Sequence, residues 1–299
     1  MKHLDGRVAV ITGAGRGIGR EHALLFAREG AAVVVNDLAE ADGNSAADDV
    51  VAEIHAEGGH AVASHHDITD TDSAAAMIAT AVEQFGRLDV LVNNAGILRD
   101  RMLVNMTDEE WNDVVRVHLR GHFLPMRAAA RVWRDASKRG EAVSASVINT
   151  TSTSGLMSNV GQSNYGAAKS GIASMTEIAA KELQRYGVRC NAIAPAARTR
   201  LTLGAPGGDQ RYAAERERAT SDWLASDPAN IAPFVAYLAS ERCTITGKVF
   251  FVYANAVHLF QPWTIIDSIR TEERWDLDEL EAAAAHWADV QFDYSLPMD

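Results

Sequence analysis

The chain is 299 residues long and 47% hydrophobic, enough to bury a full core as one α/β domain with or without an appendage. Its formal net charge of -12 argues against a nucleic-acid partner, which needs clustered Lys and Arg, and its two cysteines, Cys190 and Cys243, suit neither a disulfide framework nor a structural zinc site. No apolar stretch reaches the roughly 18 residues that a membrane span needs, and the ending Ser295-Leu-Pro-Met-Asp299 carries no retention, peroxisomal or lipidation signal, so a soluble cytoplasmic protein with no membrane partner is expected.

From the N-terminus, apolar runs of strand length alternate with helical periodicity for about 190 residues. Arg7-Val-Ala-Val-Ile-Thr12 reads as the first strand, followed by a glycine-rich turn and a helix to about Glu29. Ala31-Ala-Val-Val-Val-Asn-Asp37 is the second; it lacks polar alternation, as a strand covered on both faces does. Further strands are expected over His60 to His66, Leu88 to Val92, Ser146 to Asn149 and Val188 to Ala194. Helices are expected between them, near Gly43 to Glu57, Asp70 to Phe85, Asp108 to Asp135 and Ser163 to Tyr186. A helix near Pro228 to Ala239 and a seventh strand over Lys248 to Val252 follow. Arg198 to Ser226 breaks the rhythm, with Gly204-Ala-Pro-Gly-Gly208 and then a charged run, and is expected to be a mobile insertion that shapes the substrate site.

The fold class expected is therefore α/β: a doubly wound, mostly parallel, seven-stranded Rossmann-type sheet over residues 1–255, with a C-terminal extension over 256–299. The extension places Trp263, Trp275 and Trp287 among acidic residues and an Ala-rich helix, Leu277 to Trp287. It is expected to pack on its own domain or on a neighbouring subunit.

Thr12-Gly13-Ala14-Gly15-Arg16-Gly17-Ile18-Gly19 lies between a strand and a helix. The glycines let the backbone approach a pyrophosphate, and the helix N-terminus supplies free N–H groups and a favourable dipole. Gly13, Arg16, Gly17, Ile18 and Gly19 are thus candidate cofactor-binding residues, although the spacing is not Gly-x-Gly-x-x-Gly. Asp37, about 20 residues on, stands where a carboxylate would bind the adenine ribose hydroxyls and repel a 2′-phosphate, which favours NAD over NADP. Arg16 pulls the other way, since a turn Arg can pair with that phosphate.

Tyr165 and Lys169 are one helical turn apart, which puts a phenol beside an ammonium on one helix face. A phenol normally titrates near pKa 10, and a fixed positive neighbour lowers that value, so the pair suggests proton transfer to or from a hydroxyl or carbonyl. The other reading of the same spacing is the exposed face of an amphipathic helix. His118 and His122 are spaced to share a metal on one helix face, but no nearby Cys, His or Asp pattern completes a site, and no metal is expected.

The Thr12-Gly-x-x-x-Gly17-x-Gly19 turn, Asp67 after the third strand, Asn93-Asn94-Ala95-Gly96 after the fourth, Ser152, Tyr165-x-x-x-Lys169 and Pro195 after the sixth occur in this order. With them the chain resembles the short-chain dehydrogenase/reductase family from about Val8 to Thr202. The resemblance implies that Asp67 and Ile68 contact the adenine, that Asn94, Ala95 and Gly96 line the cofactor cleft, and that Pro195 to Thr199 hold the nicotinamide end. It also implies that Ser152 hydrogen-bonds the substrate oxygen, that Tyr165 exchanges the proton, and that Lys169 lowers the Tyr165 pKa while binding the nicotinamide ribose. Its members commonly pair through the two helices matching Asp108 to Asp135 and Ser163 to Tyr186, which implies a homodimer or homotetramer.

One position departs from the family's usual pattern. Where many members hold a relay water with an Asn, this chain has His118, and an imidazole can also carry a proton. With Asn93-Asn-Ala-Gly-Ile-Leu-Arg-Asp-Arg101, Val115-Arg-Val-His118-Leu-Arg-Gly121 and Val34-Val-Asn-Asp-Leu38, this looks like the (3R)-hydroxyacyl-CoA dehydrogenase part of multifunctional enzyme type 2, also a 17β-hydroxysteroid dehydrogenase. The implied substrate is an acyl-CoA or a steroid, with Arg99, Arg101, Arg198 and Arg200 as candidate partners for CoA phosphates. An NADPH-linked 3-oxoacyl reductase and a dinucleotide-sensing regulator without turnover are the alternatives.

Overall fold

The computed structural model describes residues 2–40, 43–203, 213–217, 221, 223–293 and 295–296. The chain divides into two units, Met1–Leu259 and Phe260–Asp299.

The first unit is built on one sheet. Strands β1 (Val8–Thr12), β2 (Ala32–Asn36), β3 (His60–Ser64), β4 (Val90–Asn93), β5 (Ala145–Thr150), β6 (Val188–Ala196), β7 (Val249–Tyr253) and β8 (Ala256–Leu259) lie in the order β3-β2-β1-β4-β5-β6-β7-β8. Every residue of β1, β4 and β5 is buried, as the lack of polar alternation in these strands requires. The pairings through β7 are parallel. Seven strands are expected from the sequence and the sheet has eight, because the chain turns back at Ala254, with φ +53°, and adds β8 antiparallel to β7. Its alternating half-buried and exposed residues suit an edge strand. The Ala254-Asn255 connection lacks the Asn-Gly signature that announces a tight hairpin.

The helices end where their caps dictate. Helix α1 (Gly17–Arg28) follows the glycine turn; α2 (Ala46–Ala56) starts at Ser45, whose hydroxyl accepts from Ala47 N–H; α3 (Thr71–Phe85) runs from Asp70 to Gly86, which has φ +79°. Thr107 and Glu110 form a reciprocal capping box for α4 (Asp108–Val115). The expected single helix from Asp108 is then interrupted by a π-helical turn, Arg116–Arg120, before α5 (Gly121–Lys138). Pro125 has no N–H to offer the Gly121 carbonyl, so the ladder is weakened where the two segments join. Helices α6 (Thr153–Leu156) and α7 (Ser163–Leu183) follow β5.

Two apolar clusters fill the two sheet faces. One holds Leu24 and Phe26 of α1, Ile54 of α2 and Val235 and Leu238 of the helix Ala232–Ala239; the other holds Met77 and Ile78 of α3, Met126 and Trp133 of α5 and Ala179 of α7. This is the doubly wound arrangement, and its topological switch lies between β1 and β4. Of the segment 198–226 expected to be mobile, the structure describes the short helix Arg200–Leu203, while residues 204–212, 218–220 and 222 lie outside the described residues.

In the second unit, Asp276 caps the helix Leu277–Ala284 and a 3-10 turn, Ala285–Asp289, continues it. Asp267 accepts from Trp287 Nε1 at 2.9 Å and pairs with His286 Nε2 at 2.7 Å, which ties the start of this unit to its helix. Among the described residues no helix is long and apolar enough to cross a membrane.

Trp133 is 2% exposed and donates its indole N–H to the Leu88 carbonyl at 2.7 Å, joining α5 to the segment that leads into β4. Trp133→Ala is expected to lower unfolding stability by about 3–5 kcal/mol, and Trp133→Phe by less, since only the hydrogen bond and part of the volume go. Urea unfolding of the three proteins checks both values.

Candidate functional site

At the sheet's switch point two turns meet almost without clearance. A Cβ on Gly13, which has φ +62°, would sit 2.7 Å from Ala95 Cα; one on Gly19 would run into the Gly13 carbonyl and the Asn94 amide. Only glycine permits this approach. Hydrogen bonds then fix it. The Thr12 hydroxyl accepts from the N–H groups of Asn94 and Ala95 at 3.0 and 3.2 Å, and Asn94 Nδ2 donates to the carbonyls of Thr12 and Gly13 at 3.1 and 3.2 Å. The result is an open rim of backbone ending at the α1 N-terminus, where an anion is favoured. Ile18 packs its side chain on the core beneath, and Gly17 faces Thr199, whose methyl a Cβ would approach to 3.3 Å. Thr199 is thereby brought beside the turn from the far side of the sequence, just after β6, the strand that carries Pro195.

Asp37 follows β2 and is held by two backbone donors, Gly15 N–H to Oδ2 and Leu38 N–H to Oδ1, each at 3.0 Å. Arg16 does not stand free beside it: its guanidinium is paired with Glu40. Asp67 accepts from Thr69 N–H at 2.7 Å, while the Ile68 side chain is 6% exposed and packs into the core against Gly121. Any contact of Ile68 with a ligand therefore falls to its backbone. Fixed carboxylate, glycine rim and helix N-terminus fit a dinucleotide.

Past β4 and β5 lies the second half of the site. Ser152 follows β5 and caps α6, its hydroxyl accepting from Ser154 N–H at 3.1 Å. Tyr165 and Lys169 come from α7, with Lys169 Nζ 5.5 Å from the Tyr165 ring centroid. His118, carried in by the π-helical turn, stands edge-on to Tyr165 with ring centroids 5.0 Å apart. Its Nε2 lies 2.7 Å from the Ile97 carbonyl and 3.1 Å from the Ile97 amide, and Gly96 leaves it the room, since a Cβ there would strike the imidazole. Lys169 is 1% exposed and donates to the Thr150 carbonyl. The exposed amphipathic face that the Tyr-Lys spacing also allows is thus excluded.

Burial dominates the electrostatics of this cluster. Lys169 is expected to pull the Tyr165 phenol down, but burial pushes the phenol up to about 12, against the pull of the Ser152 hydroxyl and with a small further rise from Asp100. Burial also pushes Lys169 down to about 7, so near neutrality it is a partial charge carrier at best. His118 is held well below the ordinary histidine range by burial and then by Lys169, and His122 behind it likewise. Both imidazoles are neutral at pH 7.

Two of the four arginines expected to meet CoA phosphates are engaged. Arg101 pairs with Glu110 at 2.7 Å and Arg99 with Asp113 at 3.7 Å; Arg198 is exposed, and the Arg200 side chain lies outside the described residues. Among the described residues no group of three or more His, Cys, Asp or Glu is placed to hold a metal ion. Asn164, absent from the sequence-based candidates, is fully buried; its Nδ2 donates to the carbonyls of Arg99 and Glu110, each at 3.0 Å, and its Oδ1 accepts from Tyr165 N–H at 2.7 Å. An amide beside Tyr165 on a helix that buries its neighbours was the available signal.

Because Lys169 titrates near 7 when folded and at 10.5 ordinarily, the unfolded chain binds the extra proton between those values and stability rises with pH there. The contribution is at most about 1.4 kcal/mol per pH unit. Urea midpoints of the cofactor-free protein are expected to climb from pH 7 to 9, and Lys169→Met to flatten that climb.

A family model described as short chain dehydrogenase matches residues 7–202. The chain is 45% identical to the hydroxyacyl-CoA dehydrogenase ChsB1 of Mycobacterium tuberculosis over 284 residues, 93% of this chain and 87% of that protein. It is 45% identical to peroxisomal multifunctional enzyme type 2 of Drosophila melanogaster over 82% of this chain and only 38% of the longer protein. A crystal structure of a short chain dehydrogenase from Mycobacterium avium superposes with a TM-score of 0.86 at 46% identity, covering 99% of both chains. With the switch-point turn and the Ser152, Tyr165 and Lys169 cluster already in place, the chain belongs to the short-chain dehydrogenase/reductase family and is an oxidoreductase of CH–OH groups that works with a nicotinamide cofactor.

Proposed function

We propose that the protein is an NAD-dependent dehydrogenase of a (3R)-hydroxyacyl-CoA, working as a homodimer or homotetramer in the cytoplasm. The observation that carries the chemistry is the convergence of Ser152, Tyr165, Lys169 and His118 beside a rim suited to a dinucleotide. The names of the relatives, one a hydroxyacyl-CoA dehydrogenase, support the substrate class. Asp37, fixed by two backbone donors, supports NAD.

The bound nicotinamide supplies the hydride acceptor or donor. Ser152 donates a hydrogen bond to the substrate oxygen, and Tyr165 takes the hydroxyl proton in oxidation or returns it in reduction. Burial that raises the Tyr165 pKa makes the phenol a reluctant acid. The phenolate is therefore best tolerated while Lys169 carries its proton. Neutral His118, against the Tyr165 ring, can accept or donate a proton at Nδ1, which has no hydrogen-bond partner among the described residues. Gly13, Gly17, Gly19, Asn94, Asp37 and Thr199 hold the dinucleotide and position it.

Tyr165→Phe is expected to lower kcat by about 10²-fold or more while dinucleotide affinity is retained; unchanged turnover would remove Tyr165 from the mechanism. Rates measured with NAD+ and NADP+ on a 3-hydroxyacyl-CoA, its free acid and a hydroxysteroid are expected to be highest for NAD+ with the acyl-CoA. Turnover of the acyl-CoA no better than that of unrelated secondary alcohols would sink the substrate assignment.

A further inference from the structure

The sequence sets two residues against each other in the choice of cofactor, since Asp37 repels a 2′-phosphate and Arg16 could hold one. A third residue bears on this in the folded chain. Glu40 lies three residues past Asp37; its backbone N–H donates to the Asn44 carbonyl at 2.8 Å and its carbonyl accepts from Gly43 N–H at 2.9 Å, so its backbone is held at both groups. The Arg16 guanidinium is paired with that carboxylate, 24 residues away in sequence. Arg16 also immediately follows Gly15, whose N–H holds the Asp37 carboxylate, so the three charged groups share one corner of the rim.

We propose that Glu40 is a specificity-determining residue: by holding the Arg16 guanidinium, it withdraws the cation of the glycine turn from a 2′-phosphate and leaves the repulsion from Asp37 unopposed. Asp37, Arg16 and Glu40 together keep one net negative charge facing the adenine ribose, which suits free hydroxyls and opposes a dianionic phosphate. Removing the Glu40 charge cancels that excess and frees a fork of donors matched to phosphate geometry. Both side chains are 45% exposed, so the pair is screened and the discrimination is graded rather than absolute. The inference rests on the reading of Asp37 as the ribose partner.

The test is binding rather than turnover. Dissociation constants of NAD+ and NADP+ are measured by calorimetry for the unaltered protein, Glu40→Gln, Arg16→Ala and the double variant. Glu40→Gln is expected to tighten NADP+ by about tenfold and to move NAD+ by less than about twofold, and the gain in NADP+ affinity is expected to vanish when Arg16 is also Ala. An unchanged NADP+ affinity in Glu40→Gln overturns the inference. So does an equal gain in the Arg16→Ala background, which would make Glu40 a simple repelling charge. If the unaltered protein binds neither dinucleotide, the reading of the site fails and takes this inference with it, whereas tight NAD+ binding with either overturning result defeats the inference alone.

Discussion

The site depends on two backbone turns touching at the point where the sheet reverses its winding. Strands β1 and β4 are neighbours, and the chain leaving each must turn within the same small volume. Glycine at 13 and 19 removes the side-chain atoms that would keep the turns apart, and Thr12 and Asn94 then use side-chain groups to satisfy the backbone donors and acceptors left over. Helix α1, whose first N–H groups have no intrahelical partner, begins beside this contact. The same contact sets the distance from Asp37, anchored on Gly15, to Gly96, which makes room for His118. A single close approach thus sets both halves of the site.

Burial, more than pairing, governs the charges in the catalytic half. Lys169, Tyr165, His118 and His122 are all shifted toward their neutral forms, and in each the largest cause is loss of water. The hydrogen bonds behind them are mostly between neutral groups: Asn93 donates to Asn149 and Asn149 to Thr176, each at 2.9 Å. In so poorly hydrated a pocket the charge on any one of Tyr165, Lys169 and His118 bears strongly on the others. At the other end of the site Asp37, Arg16 and Glu40 are partly exposed, Asp37 held by backbone donors and Arg16 by Glu40.

Much of the fold was legible in the chain itself. Uniformly apolar runs such as Ala31 to Val35 marked parallel strands, and glycines between the first strand and helix marked the dinucleotide-type turn. Tyr165 and Lys169 could be paired from helical spacing alone. The eighth strand escaped because a short edge strand buries only alternate residues and its connection, Ala254-Asn255, has no glycine. The π-helical turn that brings His118 to Tyr165 escaped as well, because residues 108 to 135 keep helical periodicity on both sides of it and only Pro125, five residues past the turn, hints at a break.

What the sequence determined is the order of elements, the side on which the strands end, and which residue types stand at those ends, since these follow from local periodicity and covalent spacing. What only the tertiary structure decided is which groups share a dielectric and which charges meet. Lys169 looked like a fixed cation when only its helical spacing was known, and burial beneath Thr150 makes it one that titrates near 7. Arg16 looked like a phosphate ligand, and the fold gives it to Glu40. Both outcomes turn on through-space desolvation and ion pairing between segments far apart in the chain, which no local pattern encodes.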